Sequence, residues 1–385
     1  MPDSYTTTST QGFFSRLMSS FVGILIGPLL VIGAIVLLSW NEGRAVQAIR
    51  GLAEASGVVV EAPVDTVAPA NEGKLVHIVG KAEATQAIPD SDLNLSFDGQ
   101  VAVDRTVEMY AWSEKKEEKT QDNTGGSQTT TTTYSYTKGW TESPADSSSF
   151  AHPEGHENPQ LPFASHKYTA SDAHLGGYTL DDKTVGMIDA PTALSPTAPD
   201  GWTANGANLF KGDNAATPAV GDVRVHYTGL ASGTTVSVLA GQSQSGFAPY
   251  TTSNGYTIHL AGAGNMPATQ MIKQQQQAEA FLTWILRGVG FFVVFVGFAM
   301  FFGPIATLAA VLPFLGTIVR GATTFFAFVL ALPVTLVTIA LSWLAFRPLI
   351  GGGLLIVAAG LGYALWRWHH SRSAAHVAAT PAPAK

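Results

Sequence analysis

Cysteine is absent from all 385 residues, which removes disulfides, thiol nucleophiles and zinc–thiolate sites. Charge is scarce as well. Asp, Glu, Lys and Arg make up 13% of the chain against 46% hydrophobic residues, and an ordinary soluble domain carries about twice that charged share. Basic residues are also few where nucleic acid would need them: residues 41–280 hold 27 of the 28 acidic side chains but only 14 of the 21 basic ones. Phosphate-backbone affinity comes mostly from Lys and Arg, so nucleic acid is excluded as a partner.

The missing charge is missing in blocks. Leu17 to Trp40 contains no Asp, Glu, Lys or Arg; as a helix it reaches about 36 Å, more than a hydrocarbon core of about 30 Å. From Gly288 to Trp366 only Arg320 and Arg347 are charged, and each piece between them is long enough for one crossing. The sequence therefore predicts four transmembrane helices, over 19–40, 281–304, 321–346 and 347–367. Pro304 and Pro313 interrupt the chain after the second span. Proline lacks an amide donor, so 305–320 reads as an irregular or interfacial linker, with a re-entrant loop as the alternative and a kink at Pro333. Residues 1–18, rich in Thr and Ser, and the Ala/Pro-rich 368–385 read as disordered ends. The alanine-rich padding points to a high-GC bacterial genome.

What lies between the first two spans, 41–280, is mostly strand by pattern. In "RTVEMYAWSE" Val107, Met109 and Ala111 alternate with Glu108, Tyr110 and Trp112, a period of two that places Glu108 on the less buried face. Polar "KKEEKTQDNTGGSQ" and then "TTTTTYSYTKGW" follow, and Asn123 to Gly126 supplies turn chemistry, so 105–140 reads as a long β-hairpin. Further strands are expected at 74–82, 222–230, 234–242 and 255–262. The fold class is an α+β membrane protein, a large β-rich domain inserted between helices one and two. "GRAVQAIRGLAEA" carries the first helix on past the interface, and "ATQMIKQQQQAEAFLTWILRG" leads without a breaker into the second span. The "NEG" of 41–43 reads as a polar turn where lipid ends, and its echo at 71–73 as a separate turn.

Chemistry-bearing residues are sparse. "HPEGHEN" (152–158) groups two histidines and two glutamates, but Pro153 and Gly155 deny it helical i, i+4 geometry, and a loop in which His156 bonds nearby backbone is the preferred reading over a metal site. The glycine-rich stretches at 262–265 and 351–353 lack a Walker or dinucleotide pattern. No enzyme activity and no cofactor is expected. Trp40, Arg44, Trp284, Arg287, Arg320, Arg347 and Arg367 fall at span ends, where belts of Trp and snorkelling Arg anchor to headgroups. Basic residues slightly favour the terminal side, placing both termini inside.

These blocks together resemble the transmembrane protein 43 family, known as LUMA. The resemblance rests on "NEGRA" after span one and "VAPANEGKLVHIVG" with Asn71, Glu72 and Gly73. It continues through "VEMYAWSE" with Glu108, Tyr110 and Trp112, "YSYTKGW", and "GHENP" with Gly155, His156, Asn158 and Pro159. "LGGYTL", "VGDVRVHYTGL" with Gly221 and Asp222, "TWILR" and "SWLAFRPL" complete it. The resemblance implies a four-span protein whose large domain faces away from the cytosol. Eukaryotic members are similar to proteins of the endoplasmic reticulum and inner nuclear membrane that organise envelope complexes by self-association and partner binding. No catalytic residue carries over. For a bacterial member it implies an inner-membrane protein with a periplasmic domain. The expected role is a scaffold that contacts the lipid bilayer, copies of itself and other membrane proteins; the alternative is a lipid-binding or lipid-handling module.

Overall fold

The computed structural model describes residues 3–189 and 192–347. The chain divides into two compact units: Met1–Gly12 with Ala48–Asn123 and Ser127–Ala278, and Phe13–Gln47 with Thr124–Gly126 and the residues from Glu279 on.

Nine strands of the first unit carry the argument: β1 (Asp3–Gln11), β2 (Leu75–Glu83), β3 (Gln100–Asp122), β4 (Gln128–Thr141), β5 (His166–Thr169), β6 (Asn208–Lys211), β7 (Val223–Ala231), β8 (Thr234–Ser243) and β9 (Leu260–Ala263). One sheet runs β1, β4, β3, β7, β6 and then Thr203–Asn205, with β5 added along β3. A second sheet is centred on the antiparallel pair β2 and β8. The period-two pattern decides which faces meet. Val107, Met109 and Ala111 of β3 are 0%, 1% and 2% exposed, and register sets Val107 opposite Val225 and Met109 opposite Val223. Ile78, Val236, Val238, Leu175 and Tyr178 complete the same core. Burying a side chain of this size contributes about 1.5–3 kcal/mol.

The hairpin expected at 105–140 is β3 and β4, paired from Met109–Thr141 to Asp122–Gln128. Its turn closes with the Asn123 amide donating to the Ser127 carbonyl at 2.8 Å, and Gly125 and Gly126 hold φ of +88° and +82°, backbone that glycine alone adopts cheaply. The strands expected at 74–82, 222–230 and 234–242 are β2, β7 and β8. The expected strand at 255–262 is instead two pieces, Thr257–Ile258 and β9.

The long helices are α1 (Phe13–Val58), α2 (Ala268–Phe301) and α4 (Pro313–Phe346), with a short α3 (Gly303–Ala309) between the last two. Three of them contain stretches long and apolar enough to cross a membrane. Within the second unit α1 and α2 approach closely because small residues meet. A Cβ on Gly27 would fall 2.5 Å from the Gly297 carbonyl oxygen, and one on Gly23 2.5 Å from that of Met300. Such a small-xxx-small spacing lets two backbones approach in apolar surroundings.

Several expectations need correction. The N-terminal 1–18 is not disordered over its described residues: residues 3–11 are β1, and α1 begins at Phe13. Threonine has high strand preference once a partner strand supplies the hydrogen bonds. The 305–320 linker is mostly helical, broken at Ala310–Leu312, because Pro304 and Pro313 occupy first turns, where no intrahelical donor is needed. The "NEG" of 41–43 is not a turn but lies inside α1. Pro333 sits within α4, as does Pro28 within α1. The fourth predicted span (347–367, with Arg367) and the 368–385 tail lie outside the described residues, Arg347 excepted.

Candidate functional site

Asn41, Glu42 and Arg44 leave the apolar part of α1 together, one to three residues apart, and α2 presents Glu279, Thr283 and Arg287 at i, i+4 and i+8, one face of a helix. The two sets interlock. Glu42, 1% exposed, accepts from Arg287 Nε at 2.6 Å and Nη2 at 2.9 Å, a bidentate pair. Its Oε2 also accepts from Trp343 Nε1 of α4 at 2.7 Å. Asn41, fully buried, donates from Nδ2 to the Thr283 carbonyl at 3.1 Å. Arg44 pairs with Glu279 and donates from Nη2 to Thr283 Oγ1 at 3.1 Å. A Cβ on Gly43 would sit 2.9 Å from the tip of the Phe346 ring, which would have to shift to admit it.

This clasp ties three helices of the second unit through groups that are costly to bury unless paired. It changes the meaning of two predicted anchors. Arg44 and Arg287 were assigned to headgroup snorkelling; their guanidinium groups instead bond inside the protein. Trp284, 68% exposed, carries the Arg287 guanidinium 4.7 Å from its ring centroid, and Trp40 is exposed. Arg347 caps α4, its amide donating to the Trp343 carbonyl at 2.7 Å, and Arg320 is exposed on α4. Glu42, Glu279 and Thr283 were missed by sequence reasoning, although the four-residue spacing of "EAFLTWILR" carried the signal.

In the first unit the motif residues form structural locks. Glu108 and its cross-strand partner Arg224 make a bidentate pair at 2.6 and 2.9 Å, and Arg224 lies 4.6 Å from the Trp140 ring centroid. Just before β7 begins, a tight turn extends its pairing with β3: Tyr110 donates its amide to the Asp222 carbonyl at 2.8 Å and accepts from the Gly221 amide at 2.9 Å. Gly221 has φ +98° and faces the Pro159 ring. The Asn158 side chain then continues the ladder. It accepts from the Trp112 amide at 2.7 Å and donates to the Trp112 carbonyl at 2.9 Å. Gly155, at φ +80°, turns the chain so that His156 stacks on Tyr136 at 3.9 Å, its Nδ1 donating to the His152 carbonyl at 2.9 Å. The second "NEG" is a turn: the Gly73 amide donates to the Gln242 carbonyl at 2.9 Å, the Lys74 amide to that of Asn71 at 2.9 Å, and Glu72 accepts from the Gln244 amide at 2.9 Å.

One buried network was not foreseen. Asp90, fully buried, accepts from Arg105 Nη1 at 2.6 Å and from the Tyr227 hydroxyl at 2.6 Å. Arg105 reaches Asp92 at 2.7 Å and the Ala164 carbonyl at 2.8 Å. Burial alone would raise the Asp90 carboxyl, but the Tyr227 hydroxyl and the Arg105 guanidinium outweigh it and hold the group below the usual carboxylate range. Burial pushes the Tyr168 phenol up to about 12 and Tyr227 higher still, Asp90 adding to both.

The family "Transmembrane protein 43" matches residues 109–348. The chain is 32% identical over 361 residues to "Transmembrane protein 43" of Mus musculus, covering 89% of each, and 30% identical over 360 residues to that of Homo sapiens, again 89% of each. To the "Transmembrane protein 43 homolog" of Drosophila melanogaster it is 29% identical over 354 residues, 87% of this chain and 92% of the relative. No solved structure matches. With apolar helices long enough to cross a bilayer, a β-rich domain inserted between the first two, and this likeness over most of its length, the chain belongs to the transmembrane protein 43 family.

Proposed function

We propose that this family member is a non-enzymatic, multi-pass membrane scaffold that self-associates and gathers other membrane proteins. The observation that carries the reading is the outer strand β1, which ends its sheet and is exposed along its whole length. After Asp3 it holds no charge and no proline, the two devices that ordinarily blunt an edge strand. Confinement to a membrane plane raises the concentration at which such edges meet, so modest contacts suffice for assembly. The clasp supports a structural role, since its charges are matched to one another between α1 and α2 and Trp343 of α4 bonds to them. The motif polar groups of Asn158, Glu108 and Glu72 are likewise engaged in holding the fold. The setting proposed is a bacterial inner membrane with the β-rich domain periplasmic. Light scattering on the detergent-solubilised chain tests the reading: a discrete multiple of the protomer mass is expected, and a strictly monomeric mass refutes it.

A further inference from the structure

We propose that the open edge of β5 is a docking groove in which an extended, basic segment of a partner protein lies as an added strand. The proposal rests on the reading of the chain as one that gathers other proteins, and it names where such a protein is held.

The edge comes first. Among the described strands β5 pairs with β3 alone, from Ala102–Thr169 to Arg105–His166, while β7 occupies the far side of the same β3 residues. In an antiparallel ladder alternate residues turn their main chain toward the partner. The Ala170 amide donates to the Val101 carbonyl at 3.0 Å, so Tyr168 and His166 also face β3, and Lys167 and Thr169 turn their amides and carbonyls to the open side. No hydrogen bond among the described residues takes those groups up. Main chain in this state is a template for a further strand.

The edge is also walled. All four residues of β5 line a cleft of about 530 Å³, and since they belong to both faces of the strand, the cleft opens along its edge. Ile88, Pro89 and the short helix Asp182–Gly186 supply the other walls. A second cleft of about 350 Å³, lined by Ala164, Ser165 and Asp92, shares His166 and Tyr168 with the first. Together they follow the chain from Ala164 to Thr169, about 20 Å of strand. A strand edge that faces a helix across a gap suits recognition of main chain by main chain, leaving the walls to read side chains.

Charge chooses the occupant. The basic side chains of the walls are already engaged: Lys167 donates to the Ile188 carbonyl at 2.9 Å, and Arg105 is held by Asp90 and Asp92. Asp182 is exposed in the first cleft, and the Asp92 side chain is 46% exposed in the second. The accessible charge is therefore acidic in both, and a segment bearing Lys or Arg matches it. A second copy matches poorly, because residues 41–280 are acidic on balance and β1 holds no Lys or Arg.

The probe is a fluorescein-labelled peptide, Arg-Val-Thr-Val-Arg-Val-Thr, titrated with the detergent-solubilised full-length chain and read by anisotropy, beside a counterpart with Glu in place of both Arg. Two variants test the groove. Thr169→Pro removes the outward amide at a position that makes no ladder bond, and Gly186→Phe fills the cleft from a site where an added Cβ meets nothing within 4 Å. Saturable binding of the basic peptide is expected, at least tenfold tighter than that of the acidic one and weakened at least tenfold by each variant that melts like the native chain; if one variant fails to fold, the other decides. No saturable binding, equal binding of both peptides, or unchanged binding to a folded variant overturns the proposal. Failure of binding together with loss of the oligomer in Thr169→Pro assigns the groove to a second copy and overturns it too. Light scattering on the same preparation separates the readings: an oligomer that ignores the peptide leaves self-association standing, and a monomer that binds it leaves the groove standing.

Discussion

Arg105 stands on the core face of β3, in step with Val103, Val107, Met109 and Ala111, and its place among them was legible in the alternation of the sequence. A charged residue at an inward position announces a buried partner. What the sequence withheld was the partner: Asp90 reaches Arg105 from a separate short strand, and Tyr227, which donates to Asp90, comes from β7, more than a hundred residues on. Removing one member of such a pair strands the other charge, so Asp90→Ala should destabilise the chain by about 3–5 kcal/mol, and Tyr227→Phe by about 2 kcal/mol, both read from fluorescence-monitored unfolding of the solubilised protein. The pH dependence has a definite sign. The Asp90 carboxyl titrates lower folded than its ordinary 3.8, so its stabilisation is complete above that value and fades as pH falls through the lower folded one. Melting temperature should drop steeply below about pH 4 in the native chain, and the slope should be shallower in Asp90→Asn.

At the scale of the element, hydropathy pointed to three of the long apolar helices, α1, α2 and α4, because composition decides whether a helix tolerates lipid. Pairing was not legible. The Thr-rich N-terminus reads as disorder until β4, more than a hundred residues on, supplies its hydrogen bonds, and prolines that look like breaks sit harmlessly in first turns. Likewise Arg287 looked like an interface charge, and only packing shows Glu42 to be its partner. A double-mutant cycle measures that partnership: Glu42→Ala and Arg287→Ala should each lower stability, the double variant costing less than their sum by at least about 1 kcal/mol. The helix contact offers a second comparison. Gly27→Val forces a side chain against the Gly297 backbone, while Gly33 has open space around its Cβ position; the first should lower the melting temperature of the solubilised protein by several degrees and Gly33→Val should leave it nearly unchanged.

For the whole molecule, the block structure of the charge was the strongest guide: an acidic, strand-patterned middle between apolar ends is what α1, α2 and the two sheets became. Alkaline carbonate should fail to extract the chain from membranes, since its attachment is apolar burial rather than surface charge. Release into the supernatant would contradict the membrane assignment. Deleting residues 3–11 bares the edge of β4, and the truncated chain should lose its discrete oligomer on light scattering while the β-rich domain keeps its strand signal in circular dichroism.

Asn158 substitutes one amide side chain for a peptide unit, and that makes its chemical durability a structural matter. An asparagine ages by attack of the next residue's backbone nitrogen on the side-chain carbonyl, forming an imide that hydrolyses to a carboxylate. Pro159 has no N–H with which to begin that attack, so the nitrogen that donates to Trp112 is protected from becoming an oxygen that would repel it.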